Sequence, residues 1–483
     1  MNKGDLITLN VERYAFEGKG IARINAENNS ELSESDSFIV FVNGAYPGDL
    51  VSAKIKKVKK SYAEAVAEEI LSPSLKRVEP RCKYFGTCGG CKQQDLDYEQ
   101  QIVYKQEQVE DIFKHNGGLT DFRIENILPS ENIFFYRNKM EYSFSELQWL
   151  TEKEMGVELR KNFVLGLHVP NVYDKILDID ECFLQSELSS KILNFTRDFF
   201  QQRQSTIYNT KTHTGYLRNL VIRQSQNTKD LMINLVTSEE NEKLLKEYVS
   251  EIINKFPEIT TIVNNINKKK SSVAVGDYEI VYHGSGYIYD KIGDPACTKA
   301  LAGKYKFRIS SNSFFQTNTL QAEKLYTLAL EFAELKGNEV IYDLYSGAGT
   351  ISIFVSGFAK EVYGFEAVES SIFDANANLE INEVTNVKFI QADLYKSFLP
   401  LTNTLPKPDV IILDPPRSGM HKNTVSDVLQ LNPLKIVYIS CNPTTQVRDI
   451  QLMVEAGYKL IKIRPVDMFP HTFHIENVAL LVK

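Results

Sequence analysis

Cysteine and tryptophan are scarce in this sequence: 483 residues hold 6 Cys and a single Trp. So few thiols exclude a small scaffold stapled by disulfides. Long apolar runs are missing too. No segment approaches the roughly 18 uninterrupted apolar residues that span a bilayer, so no membrane partner is expected. The opening residues, Met1 to Asn10, lack the apolar stretch of a secretory leader, and a cytoplasmic location follows as an expectation. In that compartment cysteines serve more often as metal ligands or catalysts than as disulfides. Nor is positive charge in surplus. The net charge of −7 argues against a protein that coats nucleic acid indiscriminately. Local basic patches are present all the same: Lys54, Lys56, Lys57, Lys59 and Lys60 form one, and Lys268, Lys269 and Lys270 another. Taken alone, each run reads most simply as a solvated face.

The composition, 43% hydrophobic and 24% charged, is that of an ordinary globular protein. The length suggests two to four domains. Residues 1–72 hold short β-branched and aromatic runs at 6–9, 20–24, 38–42 and 50–55, punctuated by Gly18, Gly20, Gly44, Pro47 and Gly48. Close strand spacing without a long helix predicts a small closed β-barrel, a shape that often binds oligonucleotides. Residues 73–310 are mixed α+β, with strand-like runs at 219–223 and 231–236 and helical spacing over 98–114. From 311 to 483 the rhythm becomes strand, loop and helix, with apolar runs at 340–342, 362–365, 387–390, 410–413 and 436–439. That rhythm predicts a mostly parallel sheet covered by helices.

Asp343-Leu344-Tyr345-Ser346-Gly347-Ala348-Gly349-Thr350 follows the first of those strands and opens a helix. Glycines there let the backbone turn tightly and approach a ligand at the helix N-terminus. The second strand ends in Glu366, 23 residues after Asp343, where a carboxylate can accept hydrogen bonds from ribose hydroxyls. Asp393 ends the third strand and Asp414 the fourth. Each acid alone reads as a cap or turn residue; four at successive strand ends predict one shared crevice. The third glycine of a dinucleotide fingerprint is replaced by Ser352. The pattern resembles the S-adenosylmethionine-dependent methyltransferases rather than a dehydrogenase.

Ser440-Cys441-Asn442-Pro443 follows the fifth strand, and His474-Ile475-Glu476 precedes the last. In isolation Cys441 reads as inert packing and Glu476 as a surface carboxylate. Together they match one chemistry. Carbon 5 of uracil is too weak a nucleophile to attack a methyl sulfonium, but a thiolate added at carbon 6 makes it enolate-like. The carbon-5 hydrogen then needs a base before the thiolate can leave, and a carboxylate suffices.

With Phe314-Phe315-Gln316-Thr317-Asn318 and Asp414-Pro415-Pro416-Arg417 added, the sequence resembles the RNA uracil-5-methyltransferase family over nearly its whole length. The resemblance implies a class I methyltransferase fold, α/β with a Rossmann-like sheet, behind an OB-like TRAM barrel and a central iron–sulfur, RNA-binding domain. It implies Cys441 as nucleophile and Glu476 as base. Gln316, Tyr345, Glu366 and Asp414, with Thr350 and Asp393 as further members, would contact S-adenosylmethionine. Phe314 is placed to stack near the target base. Ser346 stands where relatives often carry cysteine. The TRAM likeness rests on Gly18-Lys19-Gly20-Ile21-Ala22 and Tyr46-Pro47-Gly48-Asp49. In the family, the helix that here spans 98–114 packs on the catalytic domain.

Cys82, Cys88 and Cys91 are separated by five and two residues, and Cys182 lies far downstream. Three close thiolates and a distant fourth is one way iron–sulfur clusters are held. Four thiolates also suit zinc, although structural zinc sites more often come as two close pairs. The resemblance implies a [4Fe-4S] cluster on these four. TRAM barrel and cysteines together lean toward 23S ribosomal RNA as substrate, with the T-loop uridine of transfer RNA as the alternative. A non-catalytic RNA-binding protein on the same fold is the reading from another class.

Overall fold

The structure is a computed structural model and describes residues 1–24, 38–151, 162–170, 172, 175–270, 274–293 and 305–483. Five strands, β1 (Leu6–Ala15), β2 (Lys19–Ile24), β3 (Phe38–Asn43), β4 (Leu50–Val58) and β5 (Tyr62–Ser72), close into a barrel of order β1-β2-β3-β5-β4. Alternation along β2 and β4 sends Ala22, Ile24, Val51, Ala53 and Ile55 inward onto one small core. The lysines of β4 and the following turn stay outside. At the barrel's exit Arg77 is clamped by Asp49 and Asp95.

Helix α1 (Tyr98–Asp111) follows and runs into a single π-turn over Ile112–Asn116. Its apolar positions Val109, Ile112 and Phe113 share a core with the C-terminal sheet. Strand β6 (Arg123–Ile124) pairs with the edge of that same sheet. An early segment of the chain therefore completes the last domain.

The central sheet has order β13-β12-β11-β10-β7-β8-β9, built from β7 (Lys139–Ser145), β8 (Val164–His168), β9 (Ile176–Asp178), β10 (Leu217–Gln224), β11 (Leu231–Thr237), β12 (Thr261–Ile266) and β13 (Tyr278–His283). Helices α2 (Glu187–Gln202) and α3 (Glu242–Lys255) bury Phe199, Phe200, Leu245 and Tyr248 against one face, where Met140, Tyr142 and Phe144 point. The opposite face carries Lys139, Glu141, Ser143 and Asn219, and its Val221 and Val236 are buried together with Ala274.

Strands β14 (Tyr287–Ile292) and β15 (Tyr305–Ser310) form a hairpin whose Ile288, Ile292, Phe307 and Ile309 join the C-terminal core. The packing unit thus begins ahead of residue 311. Helix α4 (Thr319–Ala333) leads into the last sheet. Its strands are β16 (Val340–Leu344), β17 (Glu361–Glu366), β18 (Val387–Gln391), β19 (Val410–Leu413), β20 (Lys435–Ser440), β21 (Lys459–Val466) and β22 (Glu476–Val482). Between them run α5 (Thr350–Ser356), α6 (Glu369–Ile381), α7 (Leu399–Thr402), α8 (Lys422–Leu431) and α9 (Pro443–Glu455). The order is β18-β17-β16-β19-β20-β22-β21-β6, parallel except for β22. Its centre is buried on both faces, so consecutive residues feed two cores: Ile341, Ile412 and Val437 one, Tyr342, Ile411 and Tyr438 the other. All parallel strands end at one edge, and the reversed β22 begins there.

Candidate active site and cysteine-lined cavity

Beyond β16 the chain turns through Tyr345, Gly347 and Gly349, all at positive φ (69°, 54° and 80°). Gly349 has a second constraint, because a Cβ there would meet the Phe389 ring at 2.4 Å. A Cβ on Gly347 would meet nothing within 4 Å, so its backbone borders open space. The Gly347 amide donates to Glu366 Oε2 at 2.9 Å, while Ala367 and Val368 amides donate to Oε1. Glu366 is thereby fixed beside the glycine turn. Thr350 opens α5, with its hydroxyl 3.4 Å from that of Tyr326. Asp343 is fully buried; Ser352 Oγ donates to its Oδ2 at 2.5 Å and its Oδ1 has no partner. Burial pushes the Asp343 carboxyl up to about 7, against the pull of Ser352. Ser346 Oγ is also buried without a partner.

Asp414 follows β19. Solvent reaches part of it, but protein closes round it and pushes its carboxyl up to about 7. Asp393 behaves differently. Its side chain accepts from the Tyr395 amide and pairs with Lys396 at 3.2 Å, on its own exposed turn. Gln316 is buried, and Asn138 Nδ2 donates to its carbonyl at 2.7 Å. Phe314, two residues before it, is 66% exposed.

Cys441 is the first residue past β20, and Asn442 caps α9 by accepting from the Thr444 amide. The last pair between β20 and β22 is Ser440 with Asn477. One antiparallel step further sets Cys441 across from Glu476. Glu476 is 5% exposed; burial, then the charge of Asp414, holds its carboxyl well above the usual range. The Cys441 thiol is pushed up to about 12 by burial and by the charges of Glu476 and Asp414, with Arg417 pulling the other way. Arg417 is seated by its carbonyl, which accepts from Asn442 Nδ2 at 3.0 Å and Thr445 Oγ1 at 3.3 Å. A thiol, a carboxyl and a guanidinium thus come together at the edge where Glu366 and Asp414 also stand.

Several residues that shape this edge carry no signal in the sequence. Lys105 of α1 and Asp467 form an ion pair at 2.6 Å with both side chains at 0% exposure. Tyr98 donates to the other Asp467 oxygen at 2.8 Å. Buried His471 accepts at its carbonyl from the Lys92 and Gln93 amides, and its own amide donates to Gln101 Oε1. Burial takes its imidazole down to about 4. The turn between β1 and β2 also reaches this wall: Gly18 lies against Phe473, and Glu17 lies 3.7 Å from Arg417. These partners lie hundreds of positions apart, and no local pattern joins them.

Cys82, Cys88, Cys91 and Cys182 are free thiols lining one cavity of about 690 Å³. Their thiols are all pushed upward, first by burial. Cys91 reaches about 12, with Cys182, Cys88 and Cys82 adding to it, and Cys182 about 11. Among the described residues no three His, Cys, Asp or Glu side chains come together closely enough to hold one metal ion. Nor is any helix among them long and apolar enough to cross a membrane.

Comparison with known proteins agrees with this architecture. The family model described as tRNA (Uracil-5-)-methyltransferase matches residues 298–483, and the TRAM domain matches residues 2–67. An RNA methyltransferase of Chlorobaculum tepidum is 40% identical over 99% of this chain and 96% of its own. One of Bacteroides thetaiotaomicron is 41% identical over 97% and 99%. The crystal structure of Pyrococcus abyssi tRNA (uracil-54, C5)-methyltransferase in complex with S-adenosyl-L-homocysteine aligns with a TM-score of 0.72. It is 28% identical, over 99% of this chain and 100% of that one. With relatives matching end to end at this identity, the chain belongs to the S-adenosylmethionine-dependent RNA uracil-5-methyltransferase family and carries a TRAM domain at its N-terminal end.

Proposed function

We propose that this enzyme methylates carbon 5 of uracil in 23S ribosomal RNA, with Cys441 as nucleophile and Glu476 as base. The observation that carries the reading is the placement of Cys441 across from Glu476 at the strand ends beside Asp414. The Cys441 sulfur, once deprotonated, adds to carbon 6 of a uridine taken out of its stack. Carbon 5 takes the methyl group. Glu476, as its carboxylate, then accepts the carbon-5 proton, the double bond re-forms and the thiolate leaves. Arg417, beside Cys441, favours the thiolate. Exposed Phe314 offers a ring for a base to stack on.

S-adenosylmethionine supplies an electrophilic methyl group when bound. Gln316, Tyr345, Thr350, Glu366 and Asp414 would hold it, whereas Asp393, engaged with the Tyr395 amide and Lys396, stands aside. Open space at Gly347 and the unpartnered oxygens of Asp343 and Ser346 fit a polar ligand in that crevice.

Cys82, Cys88, Cys91 and Cys182, free thiols on one cavity of about 690 Å³, would hold a [4Fe-4S] cluster. A cluster takes one thiolate per iron. Methyl transfer requires no electron, so the cluster would brace the fold beside His471.

Transfer RNA is the second reading, favoured by the full-length likeness to the Pyrococcus abyssi enzyme. Radiolabelled S-adenosylmethionine with unmodified ribosomal and transfer RNA pools separates the two. Label in 5-methyluridine from ribosomal RNA is expected. Label from transfer RNA alone moves the substrate, and label in neither overturns the assignment.

A further inference from the structure

The face of the central sheet that carries Ser143 and Asn219 ends in a second cavity, of about 440 Å³, that the catalytic reading does not use. Its walls carry Lys211, Arg218, Lys270 and His168 against one acid, Glu146. That balance stands out in a chain of net charge −7. The site is also built. Arg218, 5% exposed, donates to the carbonyls of Asn267 and Lys269 at 2.8 Å each, and its guanidinium lies 4.1 Å over the Tyr208 ring. Ser143 Oγ sits 3.1 Å from both Asn219 Nδ2 and His168 Nε2, which lines polar groups along the floor. Cations for a phosphate, a fixed aromatic face and amide and hydroxyl groups for a base edge are the parts of a nucleotide subsite.

The sheet connects this cavity to the catalytic edge. Ser143 at its floor and Lys139 lie on the same face of β7, four residues or about 13 Å apart. Arg223, opposite Lys139, donates to the carbonyl of Ser313, the neighbour of Phe314. On the other side, His168 also lines the cysteine cavity, and its carbonyl accepts from the Gly89 amide.

We propose that the cavity of Tyr208, Lys211, Arg218 and Lys270 binds a nucleotide of the substrate RNA other than the target uridine. The proposal rests on RNA methylation as the function. It assigns the cavity a share of affinity and selectivity and leaves the chemistry at Cys441. Lys211 and Lys270 are exposed, so reversing their charge leaves the core intact.

The test pairs Lys211→Glu/Lys270→Glu with the unaltered enzyme and measures affinity for unmodified ribosomal RNA across a salt series. Two lost phosphate contacts to a single strand should reduce the slope of log affinity against log salt by about 1.4. S-adenosylmethionine affinity should not change. In parallel, 4-thiouridine-substituted RNA should photo-crosslink to the peptide containing Tyr208, and Tyr208→Ala should lose that crosslink. A double variant that keeps wild-type affinity and slope, beside a wild-type enzyme that methylates the RNA, overturns the pocket alone. If the unaltered enzyme neither binds nor methylates RNA, the functional reading falls and the pocket with it.

Discussion

At the carboxyl edge of the C-terminal sheet, Cys441 and Glu476 are set by backbone register. Cys82, Cys88, Cys91 and Cys182 instead hang on turns with no ladder between them. Both groups are desolvated, and both raise the pKa of their members. They differ in what holds them. The Ser440–Asn477 pair sets Cys441 and Glu476 across from each other whatever side chains they carry. In the cysteine loop, geometry depends on single contacts: Cys82 N to Gln94 Oε1 at 2.6 Å, Gly90 N to Cys88 Sγ at 3.4 Å, Cys182 N to Ser190 Oγ at 3.3 Å. A substitution at the edge should therefore change chemistry and spare structure. One in the loop should do the reverse.

The largest expected effect is at the edge. Cys441→Ala should cut turnover by at least about 10⁴-fold, with RNA affinity and melting temperature unchanged. Unchanged methylation would remove the nucleophile assignment, and a collapsed fold would mean that the edge, too, depends on its side chains for structure.

The state of that thiol gives a second test. Because burial and two carboxylates push Cys441 up to about 12, it is protonated at neutral pH. The reactive thiolate gains with rising pH. Alkylation by iodoacetamide at pH 7 should be about a thousandfold slower than for an unperturbed thiol of pKa about 8.5, and should keep accelerating beyond pH 10. A rate that levels off near pH 8 would contradict the burial argument.

The segment linking the two regions should respond through stability. Lys105→Met leaves Asp467 buried beside Tyr98 without its cation, at a cost of about 3–5 kcal/mol. Urea unfolding monitored by fluorescence reads that loss. A change under 1 kcal/mol would mean that the pair does not hold α1 to the catalytic domain.

The loop should give the smallest effect on the crevice. Cys182→Ser should lower bound iron and raise hydrogen exchange over 82–94 and 469–473, where Lys92 and Gln93 hold His471. S-adenosylmethionine affinity should stay the same. Equal iron content in the variant would remove the cluster assignment.

Legibility in the sequence follows the same division. Strands such as Val410–Leu413 announce themselves because a sheet buried on both faces demands uninterrupted apolar runs, and the residue after each run lies at the working edge. Cys441, Asp414 and Glu366 were readable for that reason. Asp393 follows the same pattern, yet its carboxylate turns to the Tyr395 amide and Lys396, since position at a strand end does not dictate side-chain direction. Strand β6 is two residues long, too short for any periodicity. Strand β21 leaves no such run because Lys459, Lys462 and Arg464 interrupt its apolar positions. The contacts of Lys105 with Asp467, Gln101 with His471 and Glu17 with Arg417 belong to the tertiary fold. A pattern of 3.6 or 2 residues carries no trace of them.

The central claim is that Glu476 acts after carbon–carbon bond formation. The direct measurement is Glu476→Gln incubated with unmodified RNA and S-adenosylmethionine, then resolved on a denaturing gel. Addition of the Cys441 thiolate and methyl transfer leave the carbon-5 hydrogen in place, so the account predicts a slow-migrating protein–RNA adduct that carries the methyl label. Released 5-methyluridine at the wild-type rate, with no adduct, would contradict it.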